Sequence, residues 1–229
     1  MNALHAPIAY MKKDEILRLA GLRCTHRHTY LEHYSCYLDE LGEGGPPKVG
    51  FLDIETSNLD ADFGIILSWC ILDGDGKSIA SDVITKKDID SVEAGMEDKR
   101  VVESLVAAMR EYNLLVTFYG ARFDIPFIRT RATVCGVEFP PYGTIKHRDL
   151  WFVVRGKMKL SSNRLENACR VLLGKTDKTR VDSKYWRGGV RGDAASLAYI
   201  LDHNKKDVLD LKKLYDQVIP FARPVNSQL

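Results

Sequence analysis

Two carboxylates stand one residue apart in the stretch Val49-Gly50-Phe51-Leu52-Asp53-Ile54-Glu55-Thr56. Apart from those acids the stretch is apolar and β-branched and follows a Gly/Pro-rich segment, the pattern of a buried strand. Strand side chains alternate faces, so Asp53 and Glu55 project to one side while Leu52, Ile54 and Thr56 project to the other. Paired anions at the end of an apolar strand are unfavourable unless a cation or a set of donors compensates them, and a divalent metal does so most directly. A lone Asp-x-Glu on an edge strand is an ordinary solvated face, so the metal reading depends on further acids.

Two more acids occupy suggestive positions. Asp124 follows the apolar run Leu114–Phe118 and precedes Pro126, so it either caps the next helix or stands beside the end of the first strand. Asp207 lies four residues after His203 on a helical pattern, which puts both on one face. Near the N-terminus, Cys24, His26, His28, His33 and Cys36 crowd into thirteen residues. Cys24, His28, His33 and Cys36 form a C-x3-H-x4-H-x2-C pattern with the mixed sulfur and nitrogen donors of a structural zinc site. His26 competes with His28 in that set, and a hydrogen-bonded turn packed by Tyr30, Leu31 and Tyr34 is the alternative to a metal.

The elements that position these residues follow from periodicity. After strand 49–56, strands near 65–72 and 79–84 are joined by the turn Asp73-Gly-Asp-Gly76, making an antiparallel meander of three. Residues 98–111 have apolar positions at helical spacing with Asp98 as N-cap, and strand 114–118 then runs parallel to the first. A fifth strand is expected at 144–148, with Asp149 capping the helix that follows it. Ser162 to Glu166 reads as a capping box opening a helix to Leu173. The stretch 175–190 reads as a basic loop whose Tyr185 and Trp186 stack on bases or pin the loop. One helix from Asp193 to about Leu201 and another from His203 to Tyr215 complete the chain.

The 229 residues suit one sizeable α/β domain, 46–222, with an N-terminal Cys/His extension over 1–45, including a short helix at 13–19, and a tail over 223–229. No apolar run is long enough to span a bilayer, no signal-peptide pattern is present, and five scattered cysteines favour reduced thiols. An intracellular, cytoplasmic protein is expected. Net charge is only +2, yet residues 146–191 hold thirteen Lys/Arg against four acids, a basic segment suited to a phosphate backbone or to a solvated helical surface.

Four motifs in order, Asp53-Ile-Glu55-Thr, Gly120-Ala-Arg-Phe123-Asp124, His147-Arg-Asp149-Leu and His203-Asn-Lys-Lys-Asp207-Val, carry a resemblance covering about 49–216. The chain resembles the DEDD superfamily of 3′–5′ exonucleases, most nearly the stand-alone domains related to the exonuclease domain of family B DNA polymerases. Two positions depart from that pattern. The last motif has histidine at the spacing where the family has tyrosine, and Tyr119 or Gly120 replaces an expected Asn.

The resemblance implies a ribonuclease H-like mixed sheet of five strands, three antiparallel and two parallel, flanked by helices. It further implies two Mg²⁺ or Mn²⁺ ions and hydrolysis of single-stranded DNA, ahead of RNA, in DNA repair or replication. Asp53 would bridge both ions, Glu55 and Asp207 would hold the nucleophile-side ion, and Asp124 the leaving-group side. His203 would orient or deprotonate the attacking water, and Asp149 is a weaker candidate than its capping role. The rival expectations are a nucleic-acid-binding module with weak or no hydrolysis, and an endonuclease.

Overall fold

Val49–Thr56 forms β1, the middle strand of a five-stranded sheet whose other members are β2 (Ile66–Asp73), β3 (Ile79–Val83), β4 (Leu114–Thr117) and β5 (Lys146–Asp149). The order is β3-β2-β1-β4-β5, with β2 antiparallel to β1, β3 antiparallel to β2, and β4 and β5 each parallel to its neighbour. This computed structural model describes residues 13–24, 26–33, 36, 48–91, 95–174, 182–223 and 229. Expectations for residues 1–12, Tyr34, the Gly42–Pro47 linker, 175–181 and 224–228 lie outside the described residues. The chain divides into two compact units, Met1–Pro47 and Lys48–Leu229.

In the first unit, α1 (Lys13–Gly21) precedes a reversal closed by the antiparallel bridge between Arg23 and Thr29. In the second, the helices are α2 (Lys86–Ser91), α3 (Lys99–Met109), α4 (Asp124–Val134), α5 (Leu150–Lys157), α6 (Leu165–Leu172), α7 (Ser183–Val190) and α8 (Ala194–Val218). None of the described helices is long and apolar enough to cross a membrane.

The alternation of β1 sorts its side chains between two cores. Leu52 and Ile54 pack with the apolar faces of α3 and α4, including Val102, Leu105, Met109 and Ile128. Phe51 packs on the opposite face with Leu150, Val154, Val208, Leu211 and Leu214 of α5 and α8, its ring edge-on to Tyr215. Because Asp53 and Glu55 share the parity of Phe51, this register directs them toward α8. Each core face is nearly dry, so a one-residue slip of β1 would bury both acids against α3 and α4.

Four local expectations change. Residues 194–218 form one uninterrupted helix of 25 residues, because nothing between Leu201 and His203 breaks the backbone pattern. The 183–190 part of the expected loop is helical, opened by Asp182 accepting from Lys184 N. There Trp186 Nε1 donates to Thr56 O at 2.9 Å and Tyr185 stacks on Tyr199, so both rings are committed to holding α7 in place. No capping box forms before α6, where Ser162 Oγ instead accepts from Arg164 N at 3.4 Å.

Asp98 occupies the expected cap position of α3 without capping it. Its fully buried carboxylate accepts from Ile66 N at 2.8 Å and from Arg131 Nε and Nη2 at 3.0 and 2.6 Å. A two-pronged guanidinium in a dry interior is a far stronger partner than a helix N–H near solvent, so the carboxylate turns inward.

Candidate active site

On β1, Asp53 and Glu55 meet the middle turns of α8. Asn204 Nδ2 donates to Asp53 Oδ2 at 2.5 Å, while Asn204 Oδ1 accepts from Ser68 Oγ at 3.5 Å. Ser68 lies directly opposite Glu55 on β2, and the β1–β2 register shifts immediately after this pair. His203 Nε2 stands 3.8 Å from Glu55 Oε1 and 3.8 Å from Asp207 Oδ2. One donor atom each from Glu55, His203 and Asp207 falls within 4.8 Å of the others, a spacing that can hold a metal ion.

The buried thiol of Cys70, paired with Asp53 in the ladder, registers this concentration of charge. Burial pushes its pKa well up, and nearby Asp53, then Glu55 and Asp207, push it further against the opposing pull of Lys205.

Asp124 reaches β1 by another route. It is the first residue of α4, with Phe123 in the cap position, and its Oδ1 accepts from Ile54 N at 3.3 Å, between the two acids of β1. The turn leading to it is tightly specified. Tyr119 has φ +70°, and Asp149 accepts from Tyr119 N at 2.7 Å and Ala121 N at 3.0 Å while also capping α5 through Trp151 N. At Gly120 a Cβ would collide with Thr117 Oγ1, so no side chain fits there, and an asparagine is excluded by sterics.

Asp149 thus fastens the turn that presents Asp124. Burial raises its pKa, against the lowering by its three N–H donors. Behind that turn His147 Nε2 lies 2.9 Å from Thr117 Oγ1, and burial lowers its pKa to about 4, so the imidazole is neutral at neutral pH.

Asn204 and the anchoring role of Asp149 escaped the sequence reading. The available signal for Asn204 was its spacing of three from Asp207 within an otherwise core-facing stripe, where a fully buried amide demands partners. In the Met1–Pro47 unit, Cys24, His26, His33 and Cys36 present donor atoms within 4.8 Å of one another. The expected His28 is exposed and outside that set, because the chain reverses at Arg27 (φ 68°) just before it.

The family model described as RNase_H superfamily matches residues 50–219, essentially everything from β1 through α8. The chain belongs to the RNase H superfamily. Its mixed five-stranded sheet with flanking helices is the RNase H-like fold. A DNA polymerase of Methanocaldococcus jannaschii is 25% identical to it over 171 aligned residues, covering 63% of this chain and 10% of the polymerase. This RNase H-like chain therefore spans about a tenth of that relative. Among solved structures, the family B DNA polymerase of the hyperthermophilic archaeon Pyrobaculum calidifontis shares its fold, with a TM-score of 0.61 at 18% identity. That match covers 77% of this RNase H superfamily member and 25% of the polymerase chain.

Proposed function

We propose that this chain is a DEDD-type 3′–5′ exonuclease that hydrolyses phosphodiester bonds of single-stranded nucleic acid, DNA ahead of RNA. The observation that supports the reading is the cluster of Glu55, His203 and Asp207, with Asp53 tied to the same helix through Asn204 and Asp124 accepting from Ile54 N between the two acids of β1. Carboxylate oxygens are the donors that Mg²⁺ and Mn²⁺ prefer, and a buried concentration of them calls for a cation. Asp53 would contact two ions, Glu55 and Asp207 the one beside the attacking water, and Asp124 the one beside the departing 3′ oxygen. Bound there, the ions supply Lewis acidity to the water and to the leaving group.

The chain's own residues supply position and proton transfer. His203 Nε2, held between Glu55 and Asp207, orients the attacking water and takes its proton. Asn204 fixes the Asp53 carboxylate in one rotamer. Beside the Asp124 turn, the half-exposed rings of Tyr119 and Phe152 flank Trp151, and the Arg155 guanidinium lies 4.8 Å from the Trp151 ring centre. Such an array offers π faces and positive charge to unpaired bases and their phosphates, which supports a single-stranded substrate.

End-labelled single-stranded and duplex DNA and RNA, incubated with Mg²⁺, Mn²⁺ or chelator, test the proposal. A 5′-labelled single strand is expected to shorten progressively with metal and not with chelator. Blocking its 3′ end is expected to stop the reaction. Cleavage that persists on the blocked strand indicates an endonuclease, and binding without any product in Mn²⁺ indicates a module that has lost hydrolysis. Either result rejects the exonuclease reading.

Asn204→Leu separates positioning from packing. Loss of its amide is expected to raise the metal concentration for half-maximal activity by about 10–100-fold. A thermal destabilisation with unchanged metal dependence would assign Asn204 a structural role only.

A further inference from the structure

The geometry points to a structural Zn²⁺ site in the Met1–Pro47 unit, ligated by Cys24 Sγ, His26 Nδ1, His33 Nδ1 and Cys36 Sγ. Cys24 Sγ lies 3.7 Å from His26 Nδ1 and 3.5 Å from His33 Nδ1, and Cys36 Sγ lies 3.3 and 3.4 Å from the same two atoms. A tetrahedral zinc with Zn–S of about 2.3 Å and Zn–N of about 2.0–2.1 Å has sulfur-to-nitrogen edges of roughly 3.5–3.6 Å. All four contacts fall close to that edge length.

Hydrogen bonding alone does not account for the arrangement. Each thiol carries one proton, and each Nδ1 is either a donor or an acceptor. No choice of tautomers and thiol orientations makes more than about three of the four contacts linear hydrogen bonds. A shared cation satisfies all four at once, with both thiols as thiolates.

Two hydrogen-bonded turns present the donors. The first is closed by Cys24 N donating to His28 O at 2.9 Å and Arg27 N to Cys24 O at 2.8 Å, with Arg27 in the left-handed region. The second runs through His33 N to Thr29 O and Cys36 N to His33 O, both 3.0 Å, and Glu32 braces it by accepting from Thr29 N and Oγ1. His28 packs its ring edge-on to His33 from outside, at 5.5 Å between centres.

Among the described residues, the buried cluster of this unit is Leu19, Cys24, Tyr30 and Cys36, with Leu31 against it. Half of that described cluster consists of the proposed ligands, so a bound ion would cross-link it from within. Four protein donors leave no open coordination position, which makes the ion structural and not catalytic.

The test is metal analysis of the full chain produced in zinc-supplemented medium, paired with the spectrum of its Co²⁺-reconstituted form. One zinc per chain is expected, with tetrahedral cobalt bands and thiolate-to-cobalt charge transfer. Cys36→Ser and His26→Ala are expected to lose the ion, while His28→Ala and Asp207→Asn keep it. Because the wild-type spectrum is read directly, misfolding of a variant does not remove the test. The proposal is overturned by wild-type protein that holds no zinc and gives no cobalt spectrum, or by a Cys24–Cys36 disulfide in non-reduced digests. It is likewise overturned if zinc is lost in His28→Ala but kept in His26→Ala. Loss of zinc in Asp207→Asn would place the ion at the carboxylates and sink it as well.

Discussion

Asp207→Asn is expected to lower nuclease activity by about 10³- to 10⁴-fold while leaving the protein at least as heat-stable as wild type in chelator. The activity loss follows from the proposed role of Asp207 as a metal ligand, since a metal ion's stabilisation of transition-state charge amounts to several kcal/mol, at about 1.4 kcal/mol per tenfold in rate. The stability result follows from a different property of the same site. Without a cation, Glu55 and Asp207 are like charges on either side of His203, with donor atoms within 4.8 Å, and neutralising one of them relieves repulsion. The amide keeps the shape of the carboxylate on the buried face of α8, so the helix has no reason to unpack. Kinetics on an end-labelled strand and melting curves with and without Mn²⁺ read both effects. A variant that keeps activity within tenfold of wild type would refute the assignment of Asp207 as a ligand. One that loses activity only because it unfolds would show the residue to be structural. Adding Mn²⁺ should raise the melting temperature of the wild type more than that of the variant, since an ion held by the proposed ligands would bind the folded state alone.

Arg131→Met is expected to destabilise the fold by about 3–5 kcal/mol, because it strands the Asp98 carboxylate in the dry layer between the sheet and α4. Asp98 has no exposure and Arg131 is 3% exposed, so water cannot replace the lost partner. Arg131 also donates to Gly95 O at 2.6 Å, which ties the segment before α3 into the same network. Urea unfolding measures the loss. The exposed Lys86–Asp90 pair is the control, since solvent screens it and its removal is expected to leave the midpoint unchanged. The Asp98→Leu/Arg131→Met double variant should recover part of the loss, because no charge then remains buried without its partner. Equal, small effects at the buried and exposed pairs would contradict this account.

Most of the scaffold was legible in the chain. An apolar, β-branched run marked β1, a Gly-rich turn joined β2 and β3, and the interposed helix pattern of 98–111 implied that the next strand runs parallel, which yields the sheet observed. Legibility failed where a polar residue had two possible partners. Asp98 sat at a good cap position, and only the approach of Arg131 from α4 showed that its carboxylate points the other way. The pattern around Ser162 met the composition of a capping box, yet its side chain bonds Arg164 N instead. Residues 183–190 belong to a basic stretch poor in apolar residues that reads as a loop, yet they form a helix whose Trp186 is anchored to Thr56 O.

The chain on its own determined that Asp53 and Glu55 share a face and that His203 and Asp207 share another, because those relations depend only on the repeat of a strand and of a helix. Tertiary structure alone decided that the two faces meet, and that Asn204 lies between Asp53 and Ser68. It also decided that Asp124 reaches Ile54 N and that His26 stands beside the cysteines where His28 does not. The physical reason is reach. A backbone repeat orients side chains relative to neighbours in the same element. Where two elements about 150 residues apart touch is set by the packing of both apolar cores around the sheet, and which residue of a tight reversal faces inward is set by a single backbone torsion.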